Sequence, residues 1–155
     1  MERIASFRVN HLALEPGLYV SRRDQKAGVT VTTFDLRLTA PNREPVVDQP
    51  ALHTIEHLGA TYLRNSAQKD DVVYFGPMGC RTGCYLVMFG DRSPEDVLDL
   101  VLGLCDFVLA FEGDIPGAAP EQCGNYREQN LDMAKYYIRR YQRSLTEDPH
   151  FVYPD

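Results

Sequence analysis

The run VTVTTFDLRL at positions 29–38 constrains the fold most. It is dense in β-branched residues, and its second half alternates, with Phe34, Leu36 and Leu38 on one side and Asp35 and Arg37 on the other. A period of two places these sets on opposite faces of a strand, so one face must find an apolar layer to cover it. Candidates for that layer follow. Asp48 is a suitable N-cap for a helix from about Pro50 to Arg64, after a loop punctuated by Pro41, Asn42, Pro45 and Pro50. Ser93-Pro94-Glu95-Asp96 opens a second helix, on which Leu98, Val101, Leu102, Cys105, Val108 and Leu109 recur at helical spacing up to Phe111. A third runs from about Tyr126 to Leu145, with Leu131, Ala134, Ile138, Tyr141 and Leu145 as its apolar stripe. Further strands are expected at Val72–Phe75 and Tyr85–Phe89 around the tight segment GPMGCRTG, and a short one near Phe7 and Val9. Helices stand between strands without regular βαβ alternation. The expected class is α+β, a mainly antiparallel sheet packed against helices.

At 155 residues the chain is expected to form one domain, spanning 1–155. Sixteen basic against twenty-two acidic residues give a net charge of −6, which argues against nucleic acid or an anionic membrane as partner. The most apolar stretch, Val97 to Phe111, is interrupted by Asp99 and Asp106 and falls short of the roughly 20 residues that span a bilayer. The first residues, MERIASFRVNH, lack the apolar core of an export signal. A cytoplasmic location is expected, with Cys80, Cys84, Cys105 and Cys123 as free thiols.

The segment that carries chemistry is His53-Thr54-Ile55-Glu56-His57. Residues four apart on a helix share a face one turn apart, so both imidazoles can reach one metal ion while Glu56 emerges beside it. This is the inverted zinc-peptidase pattern, with the glutamate a candidate general base or acid. A third ligand must come from elsewhere: His11, His150, a cysteine or a carboxylate are open choices. Cys123 suits best, in a polar loop just ahead of the third helix, whose N-terminal dipole would favour its thiolate. Cys105 lies on an apolar stripe and is expected to be buried. Cys80, in a glycine-flanked turn beside Arg81, is a candidate nucleophile or base; a Cys80/Cys84 metal knuckle is the competing use.

Taken together, HTIEHLGATYLRN, GPMGCRTGCYLV and EQCGNY, in that order, resemble the S-ribosylhomocysteine lyase (LuxS) family, and SFRVNH and FDLRLTAPN fit it too. The resemblance implies a LuxS-like fold and a homodimer with its active sites at the subunit interface. It implies one divalent metal per subunit, ferrous iron with zinc or cobalt as substitutes, held by His53, His57 and Cys123. It also implies Glu56 and Cys80 as the acid/base pair, and Ser6, His11, Arg37 and Arg64 as substrate contacts. The implied reaction cleaves the thioether of S-ribosylhomocysteine, giving homocysteine and 4,5-dihydroxy-2,3-pentanedione, the precursor of autoinducer-2. Two positions depart from the pattern: Tyr74 stands where the family carries an acidic residue, and Cys84 where an aromatic is usual. A small inverted-motif metallopeptidase and a non-enzymatic zinc-stabilised binding domain are the rival readings.

Overall fold

A computed structural model describes residue 2 and residues 4–155. Four antiparallel strands, β1 (Gly17–Lys26), β2 (Val29–Arg37), β3 (Val72–Pro77) and β4 (Gly83–Phe89), form one sheet in the order β1-β2-β4-β3. Three helices, α1 (Gln49–Asn65), α2 (Pro94–Ala110) and α3 (Leu131–Glu147), pack together, with α1 also against β3 and α2 and α3 against β1. This is the expected α+β arrangement. Register carries the core across the sheet: Phe34 pairs with Leu86 and Leu36 with Cys84, and all four are buried on the helix side.

The helix starts follow from their caps. Asp48 accepts a hydrogen bond from the Ala51 N–H, and Ser93 and Asp96 form a reciprocal capping box. The fully buried stripe of α2 is Val97, Leu100, Val101, Leu104, Cys105 and Val108, with Leu98, Leu102 and Leu109 on its flank. α3 begins at Leu131 rather than Tyr126. Asn130 is its cap, accepting from the Met133 N–H, while the Asn130 N–H donates to Thr54 Oγ1 on α1. The segment ahead of it is thus held against α1 as a turn instead of joining the helix.

Two differences lie at the N-terminal end. Residues 7–9 are not a strand: Ala5–Phe7 is a turn of 3-10 helix, and Phe7 is largely exposed. β1, in contrast, carries little apolar signal after Val20, since its outer half, SRRDQK, is mostly exposed. A bulge between Val20 and Arg22 also breaks its alternation. What makes it a strand is the two-residue turn to β2, where Ala27 and Gly28 both have positive φ (51° and 79°), the geometry that matches strand twist in a hairpin.

The sheet face away from the helices is partly covered by the chain ends. The Leu18 N–H donates to the His150 carbonyl, and Asn10 Nδ2 donates to the Asp155 carbonyl, so the C-terminal tail ties β1 to the N-terminal segment. Beneath it Asp35 and Arg37, on the outer face of β2, are buried. No helix among the described residues is long and apolar enough to cross a membrane.

Candidate metal centre and acid/base residues

α1 presents its two histidines as the spacing requires. Their Nε2 atoms lie 3.0 Å apart with the rings edge to face. His53 Nδ1 is 2.9 Å from the Glu128 carbonyl, and His57 Nδ1 is 2.7 Å from the Pro116 carbonyl. A carbonyl only accepts, so each ring carries its proton on Nδ1 and turns an Nε2 lone pair to the same point, the usual backing of a ligating histidine. Cys123 Sγ lies 3.4 Å from His53 Nε2, and one ligand atom from each of the three residues falls within 4.8 Å of the others. Two imidazole nitrogens and a thiol sulfur suit a divalent metal and leave a fourth position open.

The loop between α2 and α3 makes this possible. Gly117 has φ +74°, and a Cβ there would sit 3.1 Å from His57 Nδ1, so this position favours glycine both for its backbone and for the ring beside it. Support for the Cys123 sulfur comes from the Asn125 N–H at 3.4 Å. The helix dipole expected to favour it lies too far along the chain, since α3 starts eight residues later. Thr54, fully buried, donates to Gln129 Oε1 at 2.7 Å and holds the strand of chain that carries Glu128.

Glu56 lines a cavity of about 190 Å³ with His53, Leu52, Pro77 and Asn125. Cys80 lines a different one of about 270 Å³, where it meets Ser6, His11, Arg37 and Tyr153. The two linings share no residue, although Pro77 and Met78 are consecutive. One chain therefore brings the histidines and Cys123 together with Glu56 beside His53, and gathers Cys80, Ser6, His11 and Arg37 around a separate cavity. Arg64 lines neither; its guanidinium donates to the Val72 and Val73 carbonyls at 2.6 and 2.9 Å.

Cys80 sits in a setting that favours its thiolate. Arg37 Nη1 donates to Thr82 Oγ1 at 2.5 Å, which leaves the Thr82 O–H to donate to Cys80 Sγ at 3.1 Å. Burial opposes ionisation here, but the Thr82 hydroxyl and backbone N–H, with the Arg37 charge, outweigh it and hold the thiol below its ordinary range. The charge that acts is Arg37, 4.0 Å from the sulfur, rather than the neighbouring Arg81. Arg37 is in turn held by Asp35, Nη2 to Oδ2 at 2.5 Å, and Tyr153 O–H donates to the same oxygen at 2.8 Å. Among the described residues, Asp35 Oδ1 and Arg37 Nε are buried without a partner, the kind of polar pair a hydroxyl can satisfy.

The remaining cysteines fall outside this chemistry. Cys84 is fully buried and burial pushes its thiol far up; Cys105 is buried likewise, its thiol pushed up to about 12. Neither joins the metal group, so the Cys80/Cys84 knuckle has no counterpart among the described residues. Asp35, Thr82 and Tyr153 were not singled out from the sequence. Asp35 had a signal, an acid two residues from Arg37 on one strand face; Tyr153 had none.

A family profile described as S-Ribosylhomocysteinase (LuxS) matches residues 4–150. The chain belongs to this family. It is 50% identical to the S-ribosylhomocysteine lyase of Finegoldia magna, with both chains covered completely. It is 52% identical to that of Clostridium acetobutylicum (94% of this chain, 92% of the relative). It is 53% identical to that of Phocaeicola vulgatus (95% and 92%). In family terms the His-His-Cys group is the feature to account for, and the two departures, Tyr74 and Cys84, lie outside it. Cys84 fills the core, while Tyr74 lies half-exposed on the edge strand beside Ser6 and Tyr85.

Proposed function

We propose that this protein is a metal-dependent S-ribosylhomocysteine lyase that releases homocysteine and 4,5-dihydroxy-2,3-pentanedione, the autoinducer-2 precursor. The observation that carries the reading is the convergence of His53, His57 and Cys123 beside Glu56, in a chain that the family profile matches almost end to end. His53, His57 and Cys123 are read as the ligands of one divalent metal per subunit, ferrous iron in the cell with zinc or cobalt as substitutes. Such a metal, when bound, supplies a Lewis acid for the charge that develops on a carbonyl oxygen next to a carbon losing its proton.

The chain's own groups do the rest. Cys80, as thiolate, removes and returns the proton on carbon as the carbonyl moves along the ribose. Glu56 moves protons on the sugar oxygens and serves the final β-elimination that expels the thioether sulfur. Ser6, His11 and Arg37 hold the substrate in the Cys80 cavity. Arg64 joins them as a substrate contact on the strength of the resemblance.

We read the working unit as a homodimer with its active sites at the interface, each chain one domain over residues 1–155. Two features support this. Within one chain the Glu56 and Cys80 cavities have separate linings. The sheet face away from the helices also leaves apolar side chains in solvent, with Tyr74 50%, Val29 50% and Phe89 44% exposed. Exposed apolar side chains on one sheet face are the kind of surface that a second chain covers. The location is taken as cytoplasmic.

The test is anaerobic. Protein loaded with ferrous iron is given S-ribosylhomocysteine, and free homocysteine thiol is followed with a thiol reagent. Metal-dependent release that stops on chelation supports the reading; folded, metal-loaded protein that releases no thiol overturns it.

A further inference from the structure

Tyr153 stands two residues from the end of the chain, in a segment without regular structure, yet it is held from both sides. The tail before it is fixed by the Leu18 N–H to His150 carbonyl bond, and the residue after next by Asn10 Nδ2 on the Asp155 carbonyl. Its ring stacks on Tyr19, centroids 4.7 Å apart and planes 12° from parallel. Its hydroxyl then reaches Asp35 Oδ2, the oxygen that Arg37 Nη2 also holds. The other arm of that guanidinium lies over Cys80 and Thr82.

We propose that Tyr153 is a positioning residue for Cys80: its hydroxyl shares the Asp35 carboxylate and so leaves the Arg37 guanidinium held against the thiol. The inference rests on the reading of Cys80 as the group that moves protons at carbon. Asp35 is 1% exposed, so water does little to neutralise its charge, and its two fixed donors must do so. Without the tyrosine hydroxyl one donor is gone. The guanidinium is drawn further onto the carboxylate, and more of the Asp35 charge acts on Cys80; both effects disfavour the thiolate. The other titratable groups that face Cys80 are His11 from the N-terminal segment and Tyr85 from β4, with Arg81 next to it in the turn. None of these bonds to Asp35 Oδ2, whose side-chain donors are Arg37 and Tyr153.

The test reads Cys80 directly. Metal-loaded full-length protein is treated with iodoacetamide across a pH series, and the Cys80 peptide is followed by mass spectrometry. Tyr153→Phe keeps the ring on Tyr19 and removes only the hydroxyl. Its alkylation at neutral pH is expected to slow by about two- to tenfold, the span of one hydrogen bond's net contribution, with the midpoint of the profile moved upward. Tyr19→Phe removes a hydroxyl from the same stack, one that bonds the Glu15 carbonyl, and is expected to leave the profile in place. In an Asp35→Asn background, Tyr153→Phe is expected to change nothing further. A Tyr153→Phe profile that matches the wild type, an equal displacement in Tyr19→Phe, or an undiminished effect in the Asp35→Asn background would each overturn the proposal. Alkylation needs no turnover, so a wild type without lyase activity would defeat the lyase reading while this measurement still decided the role of Tyr153.

Discussion

Removing Arg37 by Arg37→Met tests the buried charge network beside Cys80. The side chains of Arg37 and Asp35 are 4% and 2% exposed, and the pair is held at 2.5 Å. Methionine keeps most of the volume but leaves Asp35 with Tyr153 as its remaining side-chain donor. Breaking a buried pair by removing one partner costs about 3–5 kcal/mol, because the other charge stays behind in a poorly solvating site. The pH dependence has a definite sign. Burial already pushes the Asp35 carboxyl above its ordinary range against the pull of Arg37 and Tyr153, and loss of Arg37 raises it further. A group whose folded pKa is raised favours the native state most when protonated, below its unfolded pKa. That contribution is lost as pH rises through the folded value. The deficit of the variant should therefore be small in acid and grow toward neutral pH. Urea unfolding at fixed protein concentration, at several pH values from 4 to 8, measures it by linear extrapolation. A second substitution, Asp35→Asn, removes the stranded charge and should recover most of the loss. A single-variant deficit under about 1 kcal/mol at pH 8, or one that does not change with pH, would refute the picture of a buried carboxylate held by Arg37.

Other substitutions separate the roles proposed for the site. Cys123→Ala removes one of three ligands and should abolish stoichiometric metal in the purified protein; retained metal by elemental analysis would exclude Cys123 as a ligand. Glu56→Gln and Cys80→Ala should bind metal as the wild type does and lose at least about 100-fold in thiol release, the low end of what a positioned acid or base contributes. A near-normal rate in either would remove that residue from the reaction. Asp48→Ala deletes the cap that starts the histidine-bearing helix and should cost about 1 kcal/mol in urea unfolding, with metal content unchanged.

How much of this was legible in the chain depended on whether the determinant was local. α1 and α2 are read nearly to the residue, because Asp48, Ser93 and the prolines after them act through bonds that close within one turn. The His53/His57 pair is legible for the same reason. β1 is missed because its polar outer half gives no period, and its pairing is decided by a turn and by β2. The residues near Phe7 mislead in the opposite sense: two apolar residues alternate, but Phe7 finds no layer to bury against among the described residues.

Cys123 shows the limit most clearly. Apart from the family resemblance, its selection from the sequence rests on a helix N-terminus, and that reason does not hold, since α3 starts at Leu131. What brings the sulfur to His53 is a loop with little periodicity, folded by backbone contacts: His57 on the Pro116 carbonyl, His53 on the Glu128 carbonyl, Asn130 on Thr54. Backbone carbonyls are present at every position, so no residue type announces which ones will orient an imidazole. The same holds for Tyr153, whose role depends on a tail tied down more than 100 residues away from Asp35 in sequence. Local chemistry marks the candidate ligands and proton-transfer groups, whereas the groups that aim them belong to the tertiary structure. A loss-of-function substitution in the 112–130 loop at a position other than Cys123, or in the last six residues, should therefore act by misplacing His53, His57, Cys123 or Cys80 while all four side chains remain in the chain.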